Sequence, residues 1–329
     1  IVALGDFRGG ELMLADDEQC AAVHDVRYRP LEYDGWAQLH WTAPFEGERF
    51  SLVWYTPDRV ALEHVAASIV DGLRPPFRYR ARSTDVNVVC EVLGARSAYA
   101  GPTPGDPRWP DVDFSPAGHV VLDVGAHIGA FTRKALQEDA KKVIAFEPEP
   151  ANAALFRQNL AAPLEAGQVL LYEEALAARD GASTASLLLG PPRSDGAENT
   201  WRHALEGLSH YADDGAARRV CVAVRPLFGP NGALATDGIT FVKLDCEGAE
   251  VELLNGAVVG CWQDVRRLVF EWSFTKERSM AAFARVVQRL EADGFTVMYE
   301  GRGNWESMDE WRWHMDALVF CSREQITDS

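Results

Sequence analysis

What the chain lacks narrows its class first. No apolar run approaches the roughly 20 residues that a membrane-spanning helix requires. The opening residues, Ile1-Val2-Ala3-Leu4-Gly5-Asp6, show no basic stretch followed by a long apolar one, so no signal peptide is expected there. No initiator methionine opens the chain, which starts in a strand-like segment and reads as a fragment or a trimmed piece. No Cys-x-x-Cys pair occurs among the six cysteines, Cys20, Cys90, Cys221, Cys246, Cys261 and Cys321. Far apart, and mostly in or beside apolar segments, they are expected to be buried reduced thiols of a cytoplasmic protein rather than a zinc site or a disulfide framework. Positive charge is scarce as well: 32 Lys and Arg stand against 49 Asp and Glu, a net charge of −17. Such a surface repels phosphate backbones and anionic lipid, which argues against nucleic acid or a membrane as partner. The pairs Arg218-Arg219 and Arg266-Arg267 are too short to reverse it. No internal repeat stands out.

What is present is the make-up of a globular protein: 329 residues, 47% hydrophobic and 25% charged. That length allows one large domain or two ordinary ones, with core enough to need no staples. Three regions separate by composition. Residues 1–57 are rich in aromatics, glycine and short alternating stretches, with Phe50-Ser51-Leu52-Val53-Trp54-Tyr55 reading as a strand. Residues 58–76 carry a brief helical pattern (Val60, Leu62, Val65, Ile69, Val70) closed by Asp71-Gly72 and Pro75-Pro76, the mark of a helical linker. Residues 77–329 form the third region, in which strand and helix signals alternate from about Val120 onward. Strands are expected at 119–124, 143–146, 169–172, 220–224, 239–244, 268–272, 295–299 and 317–321. A helix carries Met280, Phe283, Val286, Val287 and Leu290 on one face and ends at Gly294. Continuous apolar strands alternating with helices predict an α/β fold, a doubly wound, mostly parallel sheet covered on both faces.

Ligands of such sheets sit beyond the carboxyl ends of the strands. The first such end reads Asp123-Val124-Gly125-Ala126-His127-Ile128-Gly129, with Gly125 placed to turn the backbone sharply and Gly129 to start a helix close to a ligand. The next strand ends in Glu147-Pro148, where a carboxylate can accept from both hydroxyls of a ribose. A dinucleotide-binding oxidoreductase would want a middle glycine where Ala126-His127 stands. Asp123 repels a pyrophosphate but suits the cationic amine of a methionine moiety, so the turn favours S-adenosylmethionine over NAD. Further on, Asp245, Glu247 and Glu250 cluster three carboxylates at the end of another strand, which is costly unless a ligand or a cation uses them.

With these residues in hand, the stretch from about Phe77 to Ser322 resembles the FkbM family of S-adenosylmethionine-dependent methyltransferases. The resemblance rests on Asp123 to Gly129, on Glu147-Pro148, and most specifically on Lys243-Leu244-Asp245-Cys246-Glu247-Gly248-Ala249-Glu250. Arg82-Ser83-Thr84-Asp85 and Glu271 echo it more weakly, and the family often has Asn in place of His127. The resemblance implies a seven-stranded, Rossmann-like class I methyltransferase sheet. It implies O-methylation of a hydroxyl on a small-molecule, sugar or lipid-like acceptor. Asp123 would face the methionine amine, the loop of Gly125, Ala126, His127 and Gly129 the methionine and ribose, and Glu147 with Pro148 the ribose diol. Glu174 and Ala175 would lie near the adenine. Asp245 would stand closest to the reacting methyl, either as a base or holding a divalent cation with Glu271, and Glu247 is the third catalytic candidate. Glu250 reads instead as a cap of the following helix, and His203 as a surface or capping residue. Trp305, Trp311, Trp313 and His314 read as a lid over an apolar acceptor or as packing.

Residues 1–57 resemble the second half of an iron- and 2-oxoglutarate-dependent oxygenase jelly roll, through Gly9-Gly10-Glu11-Leu12, His40-Trp41-Thr42-Ala43-Pro44 and Gly47-Glu48-Arg49-Phe50-Ser51. The resemblance implies His40 as an iron ligand and Arg49 as a carboxylate partner. The His-x-Asp/Glu element that completes such a site is missing, so no oxygenase activity is expected of this chain. Two other readings stay open: a nucleotide-dependent oxidoreductase, and a non-catalytic module on the same fold.

Overall fold

Successive residues of a strand point to opposite faces, so a strand apolar throughout must be covered on both sides. The protein, described here by a computed structural model, meets that demand in the larger of its two units. The structure describes residues 1–15, 21–31, 33, 39–53, 76–94, 97–102, 112–191, 198–200, 202–208, 218–235, 238–258, 260–274, 278–302 and 315–323. The units are residues 1–68 and 69–329.

The first unit consists, among its described residues, of short strands: β1 (Val2–Leu4), β2 (Phe7–Gly9), β3 (Leu12–Ala15), β4 (Ala21–His24), β5 (Leu39–Thr42), β6 (Phe45–Gly47) and β7 (Phe50–Leu52). The paired strands run antiparallel, β1 with β7, β2 with β6, and β3 with both β4 and β5, and Ala3 adds one isolated parallel bridge to Arg27. Ala3, Phe7, Leu12, Leu14 and Val26 make its small core. Residues 58–75 of the expected linker, Trp54-Tyr55 of the expected strand, and Cys20 lie outside the described residues.

In the second unit the chain runs through α1 (Asp85–Leu93), β8 (Val120–Val124), α2 (Ala130–Gln137), β9 (Lys142–Phe146), α3 (Pro150–Asn159), α4 (Ala161–Glu165) and β10 (Val169–Tyr172). It continues through β11 (Glu174–Ala177), β12 (Thr184–Leu188), β13 (Ala204–Leu205), β14 (Arg219–Pro226), β15 (Ile239–Leu244) and α5 (Ala249–Gly256). It closes with β16 (Arg267–Phe274), α6 (Met280–Ala292), β17 (Thr296–Arg302) and β18 (Met315–Ser322). The main sheet has seven strands in the order β10-β9-β8-β15-β16-β18-β17, and only β18 is reversed against its neighbours. This is the doubly wound, mostly parallel seven-stranded sheet that the sequence and its resemblance implied. Neighbouring residues of one strand serve different cores. Val121 packs with α1, α2 and α3 through Val89, Phe131 and Phe156. Leu122 and Val124 pack with α5 and α6 through Leu253, Phe283 and Leu290.

Local chemistry sets the helix boundaries. Glu149 caps α3 by accepting from Asn152 N at 2.6 Å, with Pro150 in the first turn. Ser279 caps α6 through Ala282 N, and the buried stripe of Phe283, Val286 and Leu290 follows the expected helical spacing. The expected strand at 220–224 forms, as part of β14, but it does not join the main sheet. It belongs to a second sheet of order β11-β14-β12-β13. Its alternate residues are exposed and its partner β12 is antiparallel, as suits a sheet with one wet face. The thiols are a further correction. Cys90 and Cys221 are exposed, although the described cysteines are all free.

Candidate active site

The chain builds β8, β9 and β10 toward one edge, then returns beside β8 to add β15 and β16 on the other side. A crevice opens where the order reverses, at the carboxyl ends of β8 and β15. A cavity of about 300 Å³ occupies that place, walled by the turn after β8, the end of β9, the turn after β15 and side chains of α1, β11 and β16.

The turn after β8 is held by close contacts. Gly125 has φ 73°, and a Cβ there would lie 1.8 Å from the carbonyl oxygen of Asp245. No other residue fits. Gly129, at φ 90°, would put a Cβ 2.9 Å from Cδ2 of Phe156. Its glycine therefore lets α2 pack against α3, and it does not line the cavity, contrary to the expectation that it approaches a ligand. Between them His127 adopts φ 52°, unusual for a residue with a side chain. Its backbone N–H donates to Glu147 Oε2 at 2.7 Å, while Glu149 N donates to Oε1 at 2.9 Å. Glu147 thus sits at the end of β9 with its carboxylate aimed by two backbone donors. Burial still dominates and pushes its pKa up to about 7, although those hydrogen bonds favour the ionised form. Ala126, Glu147 and Pro148 line the cavity, and Glu174 and Ala175 line it from β11. Glu174 is paired with Arg225 at 2.6 Å. The Arg225 guanidinium lies 4.4 Å from the centroid of Tyr172, which stacks on Phe146.

Asp123 lies differently from its expected place. It is fully buried beneath the cavity. One carboxylate oxygen accepts from the Thr132 hydroxyl at 2.7 Å and the other lies 3.2 Å from the Lys243 ammonium. Asp123 is not among the residues that line the cavity, where the expected contact with a methionine amine would place it. Lys243 is its register neighbour on β15 and donates to the Gly125 carbonyl at 2.9 Å. Burial alone would favour the neutral amine, but Asp123 and Asp245 outweigh it and raise the Lys243 pKa. Asp245 Oδ2, 3.5 Å from Lys243, also accepts from the Tyr99 hydroxyl at 2.6 Å. Burial, with Asp245 and Glu271 nearby, raises the Tyr99 pKa well above that of a free phenol, so the hydroxyl stays a donor. Neither Lys243 nor Tyr99 was assigned a role from sequence. Lys243 carried a signal, since it stands two residues before Asp245 on a strand and so shares its face. Tyr99 carried none.

Asp245, Glu247 and Glu271 all line one end of the cavity. Burial and the carboxylates of Asp245 and Glu271 push the Glu247 pKa well up. Glu250 lies in the first turn of α5, whose cap position is Gly248, and its carboxylate reaches back to the turn after β15: it accepts from Cys246 N, and from Gly248 N at 2.7 Å. His203 corrects its expectation, for it lines the cavity and its Nδ1 accepts from Gly190 N at 3.0 Å. Burial pushes its pKa down to about 4, leaving a neutral ring. Trp305, Trp311, Trp313 and His314 lie outside the described residues. Among the described residues no group of three or more His, Cys, Asp and Glu is arranged to hold a metal ion.

The donor set fits S-adenosylmethionine. A buried acidic acceptor stands at the end of β9 for a ribose, and the opposite end is carboxylate-lined, as suits a cationic sulfonium. No curated protein matches the chain in sequence. Among solved structures, the FkbM methyltransferase of Methylobacillus flagellatus KT is 14% identical, over 63% of this chain and 44% of that one, with a TM-score of 0.36. The magnesium protoporphyrin IX methyltransferase of Synechocystis PCC 6803, solved with bound SAM, is 14% identical over 64% and 72%, with a TM-score of 0.30. The sequence model of the methyltransferase FkbM domain matches residues 123–297. That match is more than half of the chain and runs from the end of β8 into β17; the chain belongs to the FkbM family of S-adenosylmethionine-dependent methyltransferases.

Proposed function

We propose that the chain methylates a hydroxyl oxygen of a small-molecule, sugar or lipid-like acceptor, with Asp245 facing the reacting atoms. The observation that carries this reading is the state of the Asp245 carboxylate. Tyr99 and Lys243 hold one oxygen, while the side chain remains 29% exposed at the cavity. S-adenosylmethionine, when bound, supplies an electrophilic methyl group on a sulfonium. Methyl transfer needs acceptor oxygen, carbon and sulfur in line, so positioning supplies much of the rate. In this reading the second oxygen of Asp245 accepts the hydroxyl proton as the new C–O bond forms. Lys243 offsets the charge of Asp123 and Asp245 beside it, and Glu247 and Glu271 orient the acceptor. Glu147, Pro148, Ala126 and the backbone of His127 take the ribose side, and Glu174 with Ala175 the adenine side.

For the first unit, the nested antiparallel pairing of β1 with β7, β2 with β6 and β3 with β5 supports reading residues 1–57 as part of an oxygenase-like jelly roll. The free thiols support a cytoplasmic place for the chain.

Methyl-labelled S-adenosylmethionine, offered with a panel of hydroxylated acceptors with and without magnesium, tests the reaction. Label recovered as a methyl ether, lost in Asp245→Ala while S-adenosylhomocysteine still binds, is the expected result. Label on nitrogen or carbon, or undiminished turnover in Asp245→Ala, contradicts it.

A further inference from the structure

The segment before the matched family region reaches the cofactor side through a directed chain of hydrogen bonds. Residues 82–84 zip against 198–200: Glu198 N donates to the Arg82 carbonyl at 2.8 Å, and Thr84 N to the Glu198 carbonyl at 3.0 Å. The hydroxyls then sort themselves. Thr200 Oγ1 donates to Asp85 Oδ1 at 2.7 Å, which uses its only proton. Thr84 Oγ1 accepts from Thr200 N at 2.9 Å, so its own proton goes to Thr200 Oγ1, also at 2.9 Å. The His127 ring reaches the same oxygen with Nε2 at 3.2 Å. Thr200 Oγ1 has no proton left to give, so Nε2 must carry one. Nδ1, buried and without a partner, is then the unprotonated nitrogen of a neutral ring.

Asp85 anchors this chain. It is fully buried and held by Arg80, whose Nη2 lies 2.8 Å from Oδ1 and whose Nε lies 2.9 Å from Oδ2. At the other end stands the left-handed backbone of His127, whose N–H holds Glu147. A non-glycine residue keeps such a conformation only where its surroundings enforce it.

We propose that Thr200 and Asp85 are positioning residues for the cofactor: through the His127 imidazole they hold the turn whose backbone N–H aims the Glu147 carboxylate. The inference rests on the reading of Glu147 as the ribose acceptor. Without Thr200 Oγ1 the ring loses its hydrogen-bonded acceptor and must shift toward Asp85 to regain one, the turn relaxes, and Glu147 loses one of its two backbone donors. The carboxylate then becomes harder to ionise, because Glu149, its nearest charged neighbour, disfavours the charge and only Asn152 and the Glu149 N–H still support it. The charged and titratable groups around His127 are Asp85, Arg80, His203 and Lys243; of these only Asp85 offers Nε2 a second acceptor, Oδ1 at 3.5 Å, longer than the 3.2 Å hydrogen bond to Thr200.

Calorimetry with S-adenosylhomocysteine between pH 6 and 8 tests the relay in the whole chain. Thr200→Val, nearly the same shape, is expected to weaken binding about tenfold and to move the pH midpoint of affinity upward. Thr200→Ser is expected to restore both. In a His127→Asn background, where Asn tolerates the left-handed turn unaided, Thr200→Val should have little further effect. Should Thr200→Val fail to fold, Asp85→Asn against His127→Asn reads the same coupling. A Thr200→Val protein with unchanged affinity and midpoint, or equal losses with and without His127, overturns the relay. Glu147→Gln separates the two readings: wild-type affinity in that variant removes the ribose reading itself, whereas a loss there with none in Thr200→Val removes only the relay.

Discussion

Glu147 concentrates the electrostatics of the site in one side chain. Burial holds its pKa at about 7 in the folded protein, above the ordinary value of 4.5. Between those pH values the folded protein holds a proton that the unfolded chain has released, so this group's contribution to stability falls as pH rises from 4.5 through 7 and then levels off. Ligand binding runs the other way, since ribose hydroxyls need the ionised carboxylate. S-adenosylhomocysteine affinity is expected to drop about tenfold between pH 8 and pH 6, and Glu147→Gln should bind weakly at both; calorimetry at the two pH values checks this. Lys243 makes a second prediction at this scale. Replacing it by Met strands two carboxylates beside a buried site, which costs about 3–5 kcal/mol for a broken buried pair. Urea denaturation measures it, and a loss below 1 kcal/mol would mean that Asp123 and Asp245 are balanced by some other group.

At the scale of elements, the two turns that make the crevice are mutually locked. Gly125→Ala cannot be accommodated without moving the Asp245 carbonyl, so both the turn after β8 and the turn after β15 should shift. The expected result is loss of S-adenosylhomocysteine binding together with a lowered Tm, and an alanine variant that binds normally would contradict the contact. Glu250→Ala should cost about 1–3 kcal/mol, because it leaves the Cys246 and Gly248 N–H groups without their acceptor, read as a shift in the denaturation midpoint. How far these elements could be read from the sequence depended on distance along the chain. Gly125 and Glu147 were legible because each acts within its own turn or the next strand. Asp123 was legible as an acid of the turn, expected to face the methionine amine, but not in its contact, because its partner Lys243 arrives by strand register from β15. Tyr99 and Thr200 sit in segments without periodicity, and their roles exist only once the fold brings those segments to the cavity. His203 was misplaced for the same reason.

For the molecule as a whole, the order of strands explains why one site collects residues from so many parts of the sequence. The reversal beside β8 brings the ends of β8, β9 and β15 together, and the separate sheet of β11 to β14 supplies the far wall. Alternation of apolar strands and helices made the main sheet readable, since strands buried on both faces leave a continuous signature. The second sheet was not, because the half-exposed β14 resembles any other strand until its partners are known. The central claim is that this crevice is built for S-adenosylmethionine rather than for a dinucleotide. Calorimetric titration of the purified chain with S-adenosylhomocysteine, with NAD in parallel, tests it most directly. Saturable one-to-one binding of S-adenosylhomocysteine with none of NAD is the predicted result; binding of NAD, or of neither ligand by demonstrably folded protein, would contradict it.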